Sequence, residues 1–313
     1  MYTKVLPFKK SSLQFILYGW IICGIFLASA CSGIPKNVVS PRLQNPSPME
    51  EHIRIHKRLG KTEPPGKKWV LDSVLSKSVV LYLPPKAENM KSLDLLIHFN
   101  GASHIPMNAV RYADRPLILA VVHLGSGSSV YESPFKDVEV FNRLLRVIQS
   151  KSSIQRINNI YCSAFSAGYG AVRELLKSQM HRIDGLLLLD ALHTDYVPKA
   201  TPLAEGGRLN TEKLAGFLDY AQQAIQGEKK MLMTHSEIFP GTFASLTETT
   251  DWLLNRLGIP RKPVLKWGPV GMQQIGEAGK GQFLIISFAG NSAPDHIDHL
   301  HGMPHFLEMF LED

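Results

Sequence analysis

Cysteine is nearly absent: 313 residues hold three, Cys23, Cys31 and Cys162. A disulfide scaffold and a cysteine-built zinc module are thereby excluded. Outside one stretch near the N-terminus there is no long apolar run, which excludes a polytopic membrane protein. Internal repeats are missing, so the chain is not a solenoid or a propeller. The glycine-rich loop Gly125-Ser129 lacks the Gly-Lys-Ser/Thr ending of a phosphate cradle, and a nucleotide site has no support there. What remains is ordinary for a globular protein, 44% hydrophobic and 19% charged.

Acidic residues are missing from the first 30 positions, where Lys4, Lys9 and Lys10 stand alone. Positions 31–68 add eight bases against Glu50, Glu51 and Glu63. These two stretches contribute +3 and +5 to a formal net charge of +7, so positions 69–313 carry a net charge of −1. The basic excess belongs to the N-terminal end, and a nucleic-acid partner is not expected.

Residues 1–30 read as a basic n-region, an apolar stretch Leu13-Leu27, and the small residues Ala28, Ser29 and Ala30 before Cys31. This is the layout of a secretory signal, too short for a comfortable membrane span. Leu27-Ala28-Ser29-Ala30-Cys31 resembles the lipobox of bacterial lipoproteins, with Ala28 where Leu is usual. That resemblance implies cleavage before Cys31, a lipid such as palmitate on its sulfur, and a domain held outside the cytoplasm in the bacterial envelope. Residues 31–68, with Pro35, Pro41, Pro46, Pro48, Pro64 and Pro65, read as a solvated basic tether. Its charge would favour an anionic lipid surface.

From residue 69 to 313 short apolar runs alternate with helix-like segments, which predicts one α/β domain with a mainly parallel sheet. Trp69-Leu75 and Val79-Leu83 read as an edge hairpin. Buried strands are expected at Leu93-Phe99, Leu117-His123, Asn158-Cys162, Ile183-Leu189, Lys230-Thr234 and Gln282-Phe288. Helices are expected at Asp137-Gln149, Tyr169-Met180, Leu214-Ile225, Thr247-Leu257 and Pro304-Leu311. Lys266-Gly281 reads as a glycine-punctuated loop.

Ser166 stands between a predicted strand and a predicted helix, with Ala164 two residues before it and Gly168 two after. So sharp a turn strains the serine backbone and tolerates only small neighbours, leaving the hydroxyl exposed at the strand end. A serine nucleophile further needs a base, an acid and an oxyanion hole. With Ala164-Phe165-Ser166-Ala167-Gly168 as a nucleophile elbow and a late histidine, residues 69–313 resemble an α/β-hydrolase, helices covering both faces of the sheet. The resemblance implies a serine esterase with chain order Ser, Asp or Glu, His, and no metal or cofactor.

It also implies oxyanion donors at the N–H of Ala167 and of Gly101 or Ala102, in the loop His98-Phe99-Asn100-Gly101-Ala102. For the acid, Asp190 ends the apolar run Leu186-Leu189, where a charge is costly unless paired or functional. Glu237 follows the next strand and is the alternative. For the base, His296 lies nearest the last strand, beyond Pro294, with His299 next; His301 and His305 follow.

Two other readings remain open. One is a lipid-anchored binding protein that keeps the hydrolase fold without catalysis. The other is a metal-dependent hydrolase built on Asp295, His296, Asp298, His299 and His301, part of which matches the tail of the H-x-H-x-D-H motif of metallo-β-lactamase-like hydrolases. Tyr131, Phe135, Tyr196, Phe239, Phe243, Trp267 and Met272 fall in loops expected around the site. They suggest a partly apolar pocket for an ester, including acylated glycans or lipids.

Overall fold

Six neighbouring strands run parallel because each buries alternate side chains on two opposite helical layers. The computed structural model describes residues 58–312, which belong to one compact unit, Gln44–Asp313. The expected signal segment, Cys31 and most of the tether lie outside the described residues.

The chain opens with the antiparallel hairpin β1 (Lys67–Leu71) and β2 (Val79–Leu83), followed by β3 (Ser92–Phe99), α1 (His104–Tyr112) and β4 (Leu117–Val122). Helices α2 (Ser128–Phe135) and α3 (Val138–Ser152) lead to β5 (Arg156–Phe165), α4 (Tyr169–Ser178) and β6 (Gly185–Leu189). A two-residue ribbon, β7 (Tyr196–Val197) and β8 (Arg208–Leu209), precedes α5 (Ala215–Gln226), β9 (Lys230–His235) and α6 (Leu246–Leu257). The chain closes with β10 (Lys262–Trp267), β11 (Gln273–Lys280), β12 (Phe283–Phe288), α7 (Ala293–His301) and α8 (Met303–Leu311).

Ten strands form one sheet in the order β1-β2-β4-β3-β5-β6-β9-β12-β11-β10. The stretch from β4 to β12 is parallel, and the hairpin β1-β2 and ribbon β11-β10 are antiparallel at the two edges. Leu95, Ile97 and Phe99 point to one face with Phe141, Leu144, Leu175, Phe217 and Leu253 from α3 to α6. Leu96 points to the other, with Ile105 and Val110 of α1 and Met303, Phe306 and Phe310 of α8. This is the mainly parallel sheet with helices on both faces that the sequence predicts.

Several features differ from expectation. Arg58–Lys68, read as tether, packs on the fold: Arg58 Nε donates to Asp298 at 2.8 Å, the Leu59 N–H donates to His301 Nδ1 at 3.1 Å, and the Tyr82 hydroxyl donates to the Pro65 carbonyl at 2.7 Å. The folded part therefore begins no later than residue 58. Helices α1 and α2 are not predicted by the sequence, and in α1 Pro106 sits in the first turn, where the missing N–H costs nothing.

The expected loop 266–281 is largely the ribbon β10-β11. At Gly279 glycine is required by close approach, since a Cβ there would stand 2.7 Å from the Phe283 carbonyl oxygen. Finally, the chain turns helical at Ala293, eleven residues earlier than expected. Ser292 and Asp295 form a capping box there, so His296 lies in the first turns of α7 and not in a loop.

Candidate active site

At the C-terminal edge of the parallel strands three polar residues adopt left-handed backbone angles: Asn100 (φ 73°), Ser166 (φ 50°) and Asp190 (φ 45°). Among the described residues six non-glycine residues have positive φ, so half of them fall where β3, β5 and β6 end. Such strain persists only where the surroundings over-determine it, and it concentrates at functional sites. Register places them at one level: Phe99 pairs with Ala164, and Phe165 with Leu189.

Ser166 opens a turn of 3-10 helix directly after β5 and is partly accessible. Ala164 is fully buried beneath it, and a Cβ on Gly168 would come within 2.1 Å of the Phe99 carbonyl oxygen. The turn is thus wedged against the end of β3, and only glycine fits position 168. Asn100 ties the two strand ends together. Its Nδ2 donates to the Phe165 carbonyl at 3.1 Å, and its Oδ1 accepts the Tyr131 hydroxyl at 2.9 Å. Tyr131 in turn accepts the Leu124 N–H at 3.2 Å.

Asp190 is 1% exposed. Its Oδ1 accepts the Ser236 N–H at 2.7 Å, and its Oδ2 accepts the Ser236 hydroxyl at 2.9 Å and His296 Nδ1 at 2.6 Å. Burial pushes the carboxyl pKa up. The imidazoles of His299 and His296, together with the hydrogen bonds from His296 and Ser236, outweigh burial and hold it well below the usual carboxylate range. A carboxylate only accepts, so His296 Nδ1 is the donor and Nε2 is the nitrogen left to accept a proton. Its ring stacks on Phe165, the residue before Ser166, at a centroid distance of 4.5 Å.

The alternates go elsewhere. The Glu237 N–H donates to the Gly290 carbonyl, but its carboxylate is not among the partners of His296. His299 is completely buried, with Nδ1 2.7 Å from the Thr234 hydroxyl, and burial pushes its pKa down.

In the expected oxyanion loop, the Gly101 N–H donates to His123 Nδ1 at 3.3 Å, and Ala102 lies exposed beside it. His98 is structural. It is fully buried, sits 3.0 Å from the Ser163 hydroxyl, and donates through Nε2 to the Asn100 carbonyl at 2.8 Å; burial lowers its pKa to about 4.

The alternative His/Asp metal cluster does not assemble among the described residues. Asp295 accepts from Ser292, Asp298 pairs with Arg58, and His301 accepts the Leu59 N–H. Among the described residues no three His, Cys, Asp or Glu side chains converge on a metal-sized site.

The expected pocket aromatics also redistribute. Tyr131, Phe135, Tyr196 and Met272 are buried in the core, Trp267 stands 59% exposed on edge strand β10, and Phe239 and Phe243 stay exposed after β9. One residue the sequence reading passed over is His193, three positions beyond Asp190. Its ring meets Tyr169 edge-on at 5.7 Å and Phe243 at 5.0 Å. A lone histidine in a polar loop gives no pattern to find it by, except its nearness in sequence to Asp190.

No protein-family model matches this chain, and no curated protein matches it. Among solved structures it is similar to Est1E from Butyrivibrio proteoclasticus, at 10% identity over 79% of this chain and 98% of that one, with a TM-score of 0.41. It is similar to an S-formylglutathione hydrolase from Agrobacterium tumefaciens at 11% identity, 82% and 98% coverage and a TM-score of 0.43. A third is a cold-adapted esterase from an Arctic intertidal metagenomic library, at 14% identity, 82% and 99% coverage and a TM-score of 0.44.

Proposed function

We propose that this protein hydrolyses carboxylic esters or related acyl substrates through Ser166, His296 and Asp190. The observation that carries the reading is the 2.6 Å hydrogen bond from His296 to a buried carboxylate, made against the ring that precedes a left-handed Ser166. His296 Nε2 takes the proton of the Ser166 hydroxyl as its oxygen attacks the acyl carbonyl. The oxyanion is held by the Ala167 N–H and a second N–H from the Asn100-Ala102 loop, where Ala102 serves better because Gly101 already donates to His123. Collapse expels the alcohol with the proton from His296, and water then releases the acid from Ser166 by the same base.

Replacing Ser166 with Ala is expected to lower kcat on a p-nitrophenyl ester by about 10³-fold or more and to abolish labelling by a fluorophosphonate, with the thermal transition retained. Unchanged turnover would overturn the reading. A wild-type protein that neither turns over nor labels would favour a silent binding protein.

The lipobox-like sequence supports a second proposal, that Cys31 carries lipid and holds the domain at a membrane of the bacterial envelope. Among the described residues no helix is long and apolar enough to cross a membrane. The full chain expressed in bacteria should partition into detergent, and Cys31→Ser should move it to the aqueous phase. Equal partition of both would reject the anchor.

A further inference from the structure

We infer that His193 is a specificity residue that accepts a hydrogen bond from a hydroxyl on the substrate, in a subsite walled by Phe243 and Tyr169. The inference rests on the ester-hydrolase reading and adds the substrate class. His193 Nδ1 lies 3.0 Å from the Ala244 carbonyl oxygen. A carbonyl only accepts, so Nδ1 carries the proton. Burial, with His296 nearby, pushes the ring's pKa down against the opposing pull of the Ala244 carbonyl and Asp190, which favours the neutral imidazole. Nε2 is therefore an acceptor with no partner among the described residues, on a half-buried ring.

The position is next to the chemistry. His193 follows Asp190 by three residues, and Tyr169 follows Ser166 by three. Arg173 lies over the Tyr169 ring at 5.1 Å and pairs with Glu132, which holds that wall from behind. Phe243, 38% exposed, forms the other side. The Nε2 edge of His193, flanked by the Tyr169 and Phe243 rings, fits a hydroxyl borne on an apolar body. An ammonium group would need a counter-charge, and the carboxylate of Asp190 is already committed to Ser236 and His296.

The test uses binding, so that it is read separately from turnover. Calorimetry on full-length Ser166→Ala would compare methyl 3-phenylpropanoate with its three ring-hydroxylated isomers. At least one hydroxylated isomer is expected to bind about tenfold more tightly than the parent, the scale of one good hydrogen bond. Adding His193→Phe, which keeps an aromatic ring and removes the acceptor, should bring that ratio below about twofold. Adding His193→Gln, which keeps an acceptor, should restore part of it.

No preference in any isomer, survival of the preference in His193→Phe, or equal loss in both substitutions would each overturn the inference. The last outcome would assign the ring to packing. None of these results depends on Ser166 being the nucleophile, so failure here and failure of the proposed reaction are told apart.

Discussion

Asp190 keeps its charge in a fully buried position because nearby imidazoles and three hydrogen-bond donors favour the carboxylate, and that arrangement separates it from Glu237. Both acids satisfy the same chain order, and the sequence offers no distance between them and a histidine. The sheet does: β6 lies directly beside β5, whereas β9 is one strand further away. Asp190→Asn would turn an amide toward His296 and favour the wrong tautomer. It should lower kcat by about 10³- to 10⁴-fold with little change in KM, while Glu237→Gln should stay within about twofold. Steady-state kinetics on a p-nitrophenyl ester reads both, and a larger loss in Glu237→Gln would reverse the assignment. Among the histidines, position along α7 decides. His296 has a side chain 24% exposed, and His299, one turn on, is sealed beneath Phe288. His193 was illegible because its partner carbonyl lies 51 residues away.

At the level of elements, the turn after β5 is defined by what it passes. A Cβ on Gly168 would strike the Phe99 carbonyl and one on Gly170 the Ser128 carbonyl, at 2.1 and 2.2 Å. Neither neighbour is a side chain that can rotate away. Gly168→Ala is expected to cost about 2 kcal/mol or more and to lower Tm by several degrees in a thermal melt. Gly60→Ala, with nothing within 4 Å, is the control. An unaltered Tm in Gly168→Ala would show that the turn can slide from β3. The buried strands were legible because continuous apolar runs have few other places to go. The β10-β11 ribbon was not, because glycine signals a loop and a close backbone approach alike. Nor was helix α7, because Pro294 reads as loop although it suits the first turn of a helix.

For the molecule as a whole, charge patterning indicated a basic N-terminal end but placed its boundary too late. Arg58, counted with the tether, is bonded to buried Asp298, so part of that basic excess belongs to the fold. Long-range pairings of this kind leave no local periodicity. Among the described residues the ten-stranded sheet ends at β1 on one side and β10 on the other. β1 begins with Lys67 and Lys68, and β10 carries Lys262, Pro263 and Lys266, with a register irregularity between Pro263 and Lys266. Leu265 is nonetheless 78% exposed beside Trp267. Lysines, a proline without a donor and a broken ladder are obstacles to adding another strand. They guard an otherwise sticky margin against growth of the sheet from one copy into the next, and so against aggregation.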